Sequence, residues 1–253
     1  MQLKNVLIST VAMSVIILSP LSVLATEYES NGQIEFIPNT DSVSPVDPTN
    51  PENPIDPLDP LSPDGKPNVG TTGPLSIDYA SSLDFGTNKI SNKDMTYYAK
   101  AQEIDGDEDV HLPNYVQVSD NRGTNGGWAL TVKQEGQFKN NNTQNKELIG
   151  SQIQLQNGEA ISNAENMQAP NVSQNIILNP DGAAALVMEA EKTAGAGTWL
   201  SRWGGVEETV NDAGETVYKT KTISLNIPGK TPKDAVKYST TLTWNLSDIP
   251  DNK

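Results

Sequence analysis

The chain has 253 residues, with 17 lysines and arginines against 32 aspartates and glutamates, a formal net charge of −15, one histidine and no cysteine. That balance argues against a nucleic-acid partner, which needs a basic patch to neutralise phosphates, and disfavours simple Coulomb attraction to anionic polymers. Without cysteine there is neither a disulfide framework nor a thiol to carry a lipid, and a single histidine leaves too few ligands for zinc.

The first 25 residues read as a secretory signal peptide (residues 1–25). Lys4 supplies a positive start, Val6 to Leu18 is a nearly unbroken apolar run, and Val23-Leu24-Ala25 presents a cleavage site. The run is short for a membrane-spanning helix and Pro20 interrupts it. The mature chain is therefore expected to begin at Thr26, in a secreted, extracellular protein held together by its core rather than by disulfides. Its closing stretch, SDIPDNK, carries no apolar segment or sorting sequence, so any retention at a cell surface is expected to be non-covalent.

Residues 26–73 hold nine carboxylates against the single Lys66. Pro45, Pro48, Pro51, Pro54, Pro57, Pro60 and Pro63 recur every third residue there, one turn of a polyproline II helix. Asp47, Glu52, Asp56 and Asp59 repel one another between them. The reading is an acidic Pro-rich spacer, disordered or polyproline II, whose exit is marked by Gly65, Gly70 and Gly73.

From Pro74 the pattern changes to short alternating runs separated by Asn, Asp and Gly, which predicts an all-β, β-sandwich-like single domain over residues 74–253. Strands are expected at Leu75 to Tyr79, Tyr97 to Gln102, Tyr115 to Ser119, Gly127 to Lys133 and Ile153 to Leu155. Further strands are expected at Asn175 to Leu178, Ala185 to Met188, Thr216 to Leu225 and Ser239 to Leu246. The apolar residues of GAAALVMEAEK fit a helix of three turns as well as a strand; Gly195 and Gly197 just beyond favour the strand. Trp128, Leu130 and Val132 share one face of their strand, and Leu242, Trp244 and Leu246 share one face of theirs.

The inventory for catalysis is thin. Any Ser-His-Asp triad would have to pass through His111, and no G-x-S-x-G elbow is present. Asp105, Asp107 and Asp109 alternate as calcium ligands do, but Val110 and Val116 stand where a calcium loop needs Gly and Glu, so a solvated acidic turn is the better reading of the three. No metal, no cofactor and no enzyme activity are expected.

The segments NYVQVSDNRGTNGGWALTVKQEGQF, GTWLSRWG and YSTTLTWNLSDIP resemble the WxL-domain cell-surface proteins of low-GC Gram-positive bacteria. The resemblance covers roughly residues 74–253, and the export signal and acidic spacer fit it. It implies non-covalent attachment to the peptidoglycan of the cell wall, and complexes with partner surface proteins, some wall-linked and some membrane-anchored. The family motif falls on Trp128 and Leu130, and again on Trp244 and Leu246.

Each motif tryptophan has two readings, core packing and stacking on a sugar ring, and the clean alternation favours the core. Trp199 and Trp203, four apart among glycines, read instead as an exposed loop and as candidate glycan contacts. An adhesin or assembly subunit that binds a host or partner surface protein is the alternative function. An exported carbohydrate-active enzyme ranks behind both, since paired carboxylates cannot be read from sequence.

Overall fold

The computed structural model describes residues 27–211 and 213–248; the expected signal peptide lies outside them. Residues 27–36 belong to a unit that ends at Phe36, contain no strand, and expose Tyr28, Ile34 and Phe36. The unit from Ile37 onward is all-β, without a helix among its described residues.

Its strands in chain order are β1 (Val46–Asp47), β2 (Asn50–Pro54), β3 (Leu75–Ala80), β4 (Met95–Lys100), β5 (Gln102–Ile104), β6 (Asp107–Leu112), β7 (Tyr115–Asp120) and β8 (Trp128–Gln134). Then come β9 (Gln152–Gln156), β10 (Gly158–Ile161), β11 (Asn171–Val172), β12 (Asn175–Ile177) and β13 (Ala185–Ala190). The last are β14 (Gly197–Trp203), β15 (Glu207–Val210), β16 (Thr216–Ile227) and β17 (Leu242–Asp248). One sheet runs β10-β14-β7-β3 and a second β11-β13-β8-β17. A third runs β12-β9-β16-β15, with β4 also paired to β16. Two hairpins, β1-β2 and β5-β6, complete the set, and all strand pairings are antiparallel.

Alternation decides which side chains go inside. In β8, Trp128, Leu130, Val132 and Gln134 are buried while Ala129, Thr131 and Lys133 between them are partly open to solvent. The same period brings Val116 and Val118 of β7, Ile153 and Leu155 of β9 and Ile223 and Leu225 of β16 into one apolar core. The ambiguous GAAALVMEAEK is a strand, β13, because it pairs with β8 and its Val187 and Met188 are fully buried. The expected strand Tyr97 to Gln102 is two, β4 and β5, which pair with different partners, β16 and β6.

The Pro-rich stretch departs from the expected extended spacer. Its residues turn back on themselves: Asp47 accepts hydrogen bonds from the Thr49 N–H (2.7 Å) and Thr49 Oγ1 (2.6 Å), and β2 returns antiparallel to β1. Between the prolines stand Val46 and Ile55, which pack with Tyr79, Tyr115 and Leu200 on the outer side of the β10-β14-β7-β3 sheet. Burial of those side chains outweighs the repulsion of the acids, and the missing proline N–H groups cost nothing where no ladder bond is needed. One consequence is visible in β7, every residue of which is buried: its inner face meets the core and its outer face lies under this strap.

Candidate functional site

The two Trp-x-Leu strands lie side by side. Among the described residues β17 pairs only with β8, and the register sets Leu246 opposite Leu130, Trp244 opposite Val132 and Asp248 opposite Trp128. Two motifs more than a hundred residues apart thus form one two-stranded ribbon whose tryptophans and leucines all face inward.

The environments of the two tryptophans differ. Trp128 is completely buried, and its indole N–H donates to the Gly195 carbonyl at 3.0 Å. Its neighbourhood explains the glycines around it. Gly127 has φ +80°, and a Cβ there would come within 2.6 Å of the Ala190 carbonyl; at Gly195, with φ +70°, a Cβ would meet the Ala190 Cβ at 2.4 Å and the indole nitrogen at 2.9 Å. Trp244, on the edge strand, is only partly buried; one side packs towards Trp203 with ring centroids 6.2 Å apart. Leu246 is partly buried beside it, and Leu130 is fully buried.

Arg122 fastens the ribbon at its far end. Its guanidinium donates to both carboxylate oxygens of Asp120 (2.9 and 2.8 Å), to the Gly127 carbonyl (2.7 Å) and to Asp248. The residue before the first motif is thereby tied to the last residue of β17. The hydrogen bonds it donates to Asp120 raise the arginine pKa further, so the charge is permanent. Asp120 is a local partner, two residues away, but nothing local in the sequence announces the arm to Asp248, 126 residues away.

Trp199 and Trp203 correct the expectation of an exposed loop. Both lie in β14, 5% and 1% exposed, and belong to the main core. The flanking glycines, Gly195 and Gly197 before and Gly204 after, all have positive φ and make the turns at the ends of the strand. A spacing of four keeps two residues on one face of a strand as it does in a loop, so the spacing could not separate the cases. Neither indole has an open face for a sugar.

Beside the ribbon an open groove of about 1420 Å³ runs along the β17 edge. Leu242 and Trp244 of β17 line it together with Ile77, Leu83, Ile153 and Leu225. Polar groups rim it. Lys100 reaches Asp84 at 2.8 Å; burial pushes the Asp84 carboxyl up, but the hydrogen bonds from Lys100 and from the Gly86 N–H outweigh it and leave it below the usual carboxylate range. Alternate N–H and C=O groups of β17 also face away from β8, on an edge that no strand among the described residues covers. Of the four tryptophans, Trp244 alone lines this groove.

Elsewhere the polar candidates are accounted for. Asp105, Asp107 and Asp109 belong to the β5-β6 hairpin, which turns at Gly106 (φ +82°). Among the described residues no group of three His, Cys, Asp or Glu is placed to hold a metal. His111 stacks on Tyr218 with ring centroids 3.8 Å apart.

In comparison with known families, the model of a family described as WxL domain surface cell wall-binding matches residues 24–250. No curated protein and no solved structure matches the chain significantly.

Proposed function

Because the chain belongs to the WxL family of surface cell wall-binding domains, we propose that it is exported and held non-covalently on the peptidoglycan of a Gram-positive wall, with the groove beside the paired motif strands as the contact. The observation that carries this reading is the division of labour between the two motifs. Trp128, Leu130 and Val132 are sealed in the core, whereas Trp244 sits partly open on the groove wall. A flat indole edged by polar groups suits the apolar face of a sugar ring, with the rim hydroxyls and charges fixing its orientation. On this reading the first motif is scaffold, the second is contact, and the protein is a binding module rather than an enzyme.

Soluble glycan fragments released from purified wall by muramidase test the placement. Titrated into the protein, they should change the indole fluorescence saturably, and the change should vanish in Trp244→Phe. A full signal retained in Trp244→Phe would move the contact elsewhere.

The uncovered edge of β17 favours a second reading, in which a partner surface protein adds a strand to that edge. Such a partner would protect the backbone amides of β17 from hydrogen exchange; a glycan in the groove would leave half of them exchanging.

A further inference from the structure

A chain of net charge −15 still carries a basic pole. Three loops hold seven lysines: Lys89 and Lys93 in residues 85–94, Lys139 and Lys146 in residues 139–147, and Lys230, Lys233 and Lys237 in residues 228–239. Against them the same loops set three acids, Asp94, Glu147 and Asp234. Acids elsewhere on the molecule act over only about 8 Å at physiological ionic strength, so the field at this surface is set by the lysines on it.

Hydrogen bonds join the three loops into one surface. The backbones of Lys139 and Ser239 exchange a pair (2.8 and 3.1 Å), the Asn140 side-chain amide donates to the Lys237 carbonyl (2.7 Å), and the Tyr238 hydroxyl donates to the Asn145 carbonyl (2.7 Å). Lys233 Nζ donates to the Ser91 carbonyl (2.9 Å), and Gly229 lies so close to the first loop that a Cβ there would come within 2.4 Å of the Asn92 carbonyl. Two of the three acids are engaged by neutral donors. Asp94 accepts the Gly229 N–H (2.8 Å), and Asp234 accepts the Asn145 N–H (2.8 Å) and its side-chain amide (2.7 Å). Asp84, within electrostatic reach of Lys237, is held by Lys100 (2.8 Å). Lys93, Lys139, Lys146, Lys230 and Lys237 are exposed, and among the described residues none of the five forms an ion pair.

We propose that these loops form a binding site for a phosphate-bearing polyanion, separate from the sugar contact at Trp244. Every cation in them is a lysine. An ammonium is a compact point charge with three rotatable donors, suited to phosphate oxygens spaced along a flexible polymer, whereas planar carboxylates favour the two-pronged guanidinium. The two arginines of the described residues are engaged elsewhere, Arg122 by Asp120 and Asp248 and Arg202 by Glu159. Nucleic acid is a poorer fit than a simple phosphate polymer, because no aromatic side chain of the three loops is exposed to stack on a base. Lys233 and Lys237 also line the groove, so a polymer on the pole would lie next to a glycan held at Trp244. That adjacency rests on the wall-binding reading of the groove; the lysine site itself does not.

Fluorescein-labelled inorganic polyphosphate, titrated with the full chain, tests the site. Its anisotropy should rise saturably at low salt, and the affinity should fall steeply as sodium chloride is added, because binding releases counterions. Lys93→Glu, Lys230→Glu and Lys237→Glu combined should weaken binding by more than about tenfold. The same reversals at Lys133, Lys219 and Lys221, which change the net charge equally, should leave it close to the parent's. Should the first combination fail to fold, glutamine at the same three positions should act in the same direction. Trp244→Phe should bind polyphosphate as the parent does, so failure of the groove reading would leave this result standing. A flat titration at low salt, or equal losses from the two sets of reversals, overturns the proposal. Poly-L-glutamate of equal charge that competes as well as unlabelled polyphosphate, or a single-stranded oligonucleotide that binds more tightly, overturns the assignment to a simple phosphate polymer.

Discussion

Replacing Trp128 by alanine should unfold rather than disarm the protein. The side chain is 0% exposed, so the substitution returns to water a ring that buries on the order of 200 Å² and strands the Gly195 carbonyl it bonds. The Gly195 loop on one side and Ala190 of the neighbouring β13, paired with Trp128, limit how far the site can collapse, so transfer and cavity terms both apply. Together they amount to about 3–5 kcal/mol. Set against a total stability of about 5–15 kcal/mol, and a shift of about 2–4 °C per kcal/mol for a domain of this size, the melting temperature should fall by about 6–20 °C. Trp244→Ala, with one face already open, should cost about 2 kcal/mol or less from area alone. Differential scanning calorimetry on both variants separates them. If Trp128→Ala melts within about 2 °C of the parent, well inside the smallest expected shift, the reading of the first motif as scaffold is wrong.

Arg122→Ala should remove the clamp and leave the Asp120 carboxylate, 1% exposed at its side chain, buried without its partner. Such a loss typically costs about 3 kcal/mol or more; urea unfolding should show a lower midpoint at unchanged slope, with Arg122→Lys recovering little because an ammonium cannot grip both oxygens. Asp78 provides a pH test. Burial pushes its carboxyl pKa up, and hydrogen bonds from Ser119, Ser76 and Gln117 only partly offset this. With the folded pKa above the unfolded value of about 3.9, the folded state binds more protons in that window, so the group's penalty is full above the folded pKa and disappears below the unfolded one. Asp78→Asn should therefore gain on the parent at neutral pH and lose that advantage as pH falls towards about 4; an offset in melting temperature independent of pH would sink the assignment.

Much of the fold was legible because burial imposes a period. Every expected strand overlaps an observed one, since alternation of Val, Ile, Leu and Trp with polar residues is a direct record of one wet and one dry face. Other features needed the third dimension. Val46 and Ile55 look incidental among prolines and acids until Tyr79, Tyr115 and Leu200 supply a surface for them, so the segment read as a stiff spacer. Trp199 and Trp203 were misplaced because glycines that end a strand resemble glycines that fill a loop. The inward direction of both Trp-x-Leu motifs could be inferred from sequence. Their pairing could not, nor could the Arg122 link to Asp248, because both are long-range contacts without a local signature.

The proposed wall contact is the groove beside Trp244. Its most direct measurement is co-sedimentation of the full chain with purified Gram-positive sacculi, alongside Trp244→Ala that calorimetry shows to be folded. The parent should pellet saturably and the folded variant should remain in the supernatant. A parent that stays in solution, or a folded Trp244→Ala that pellets as the parent does, would contradict it.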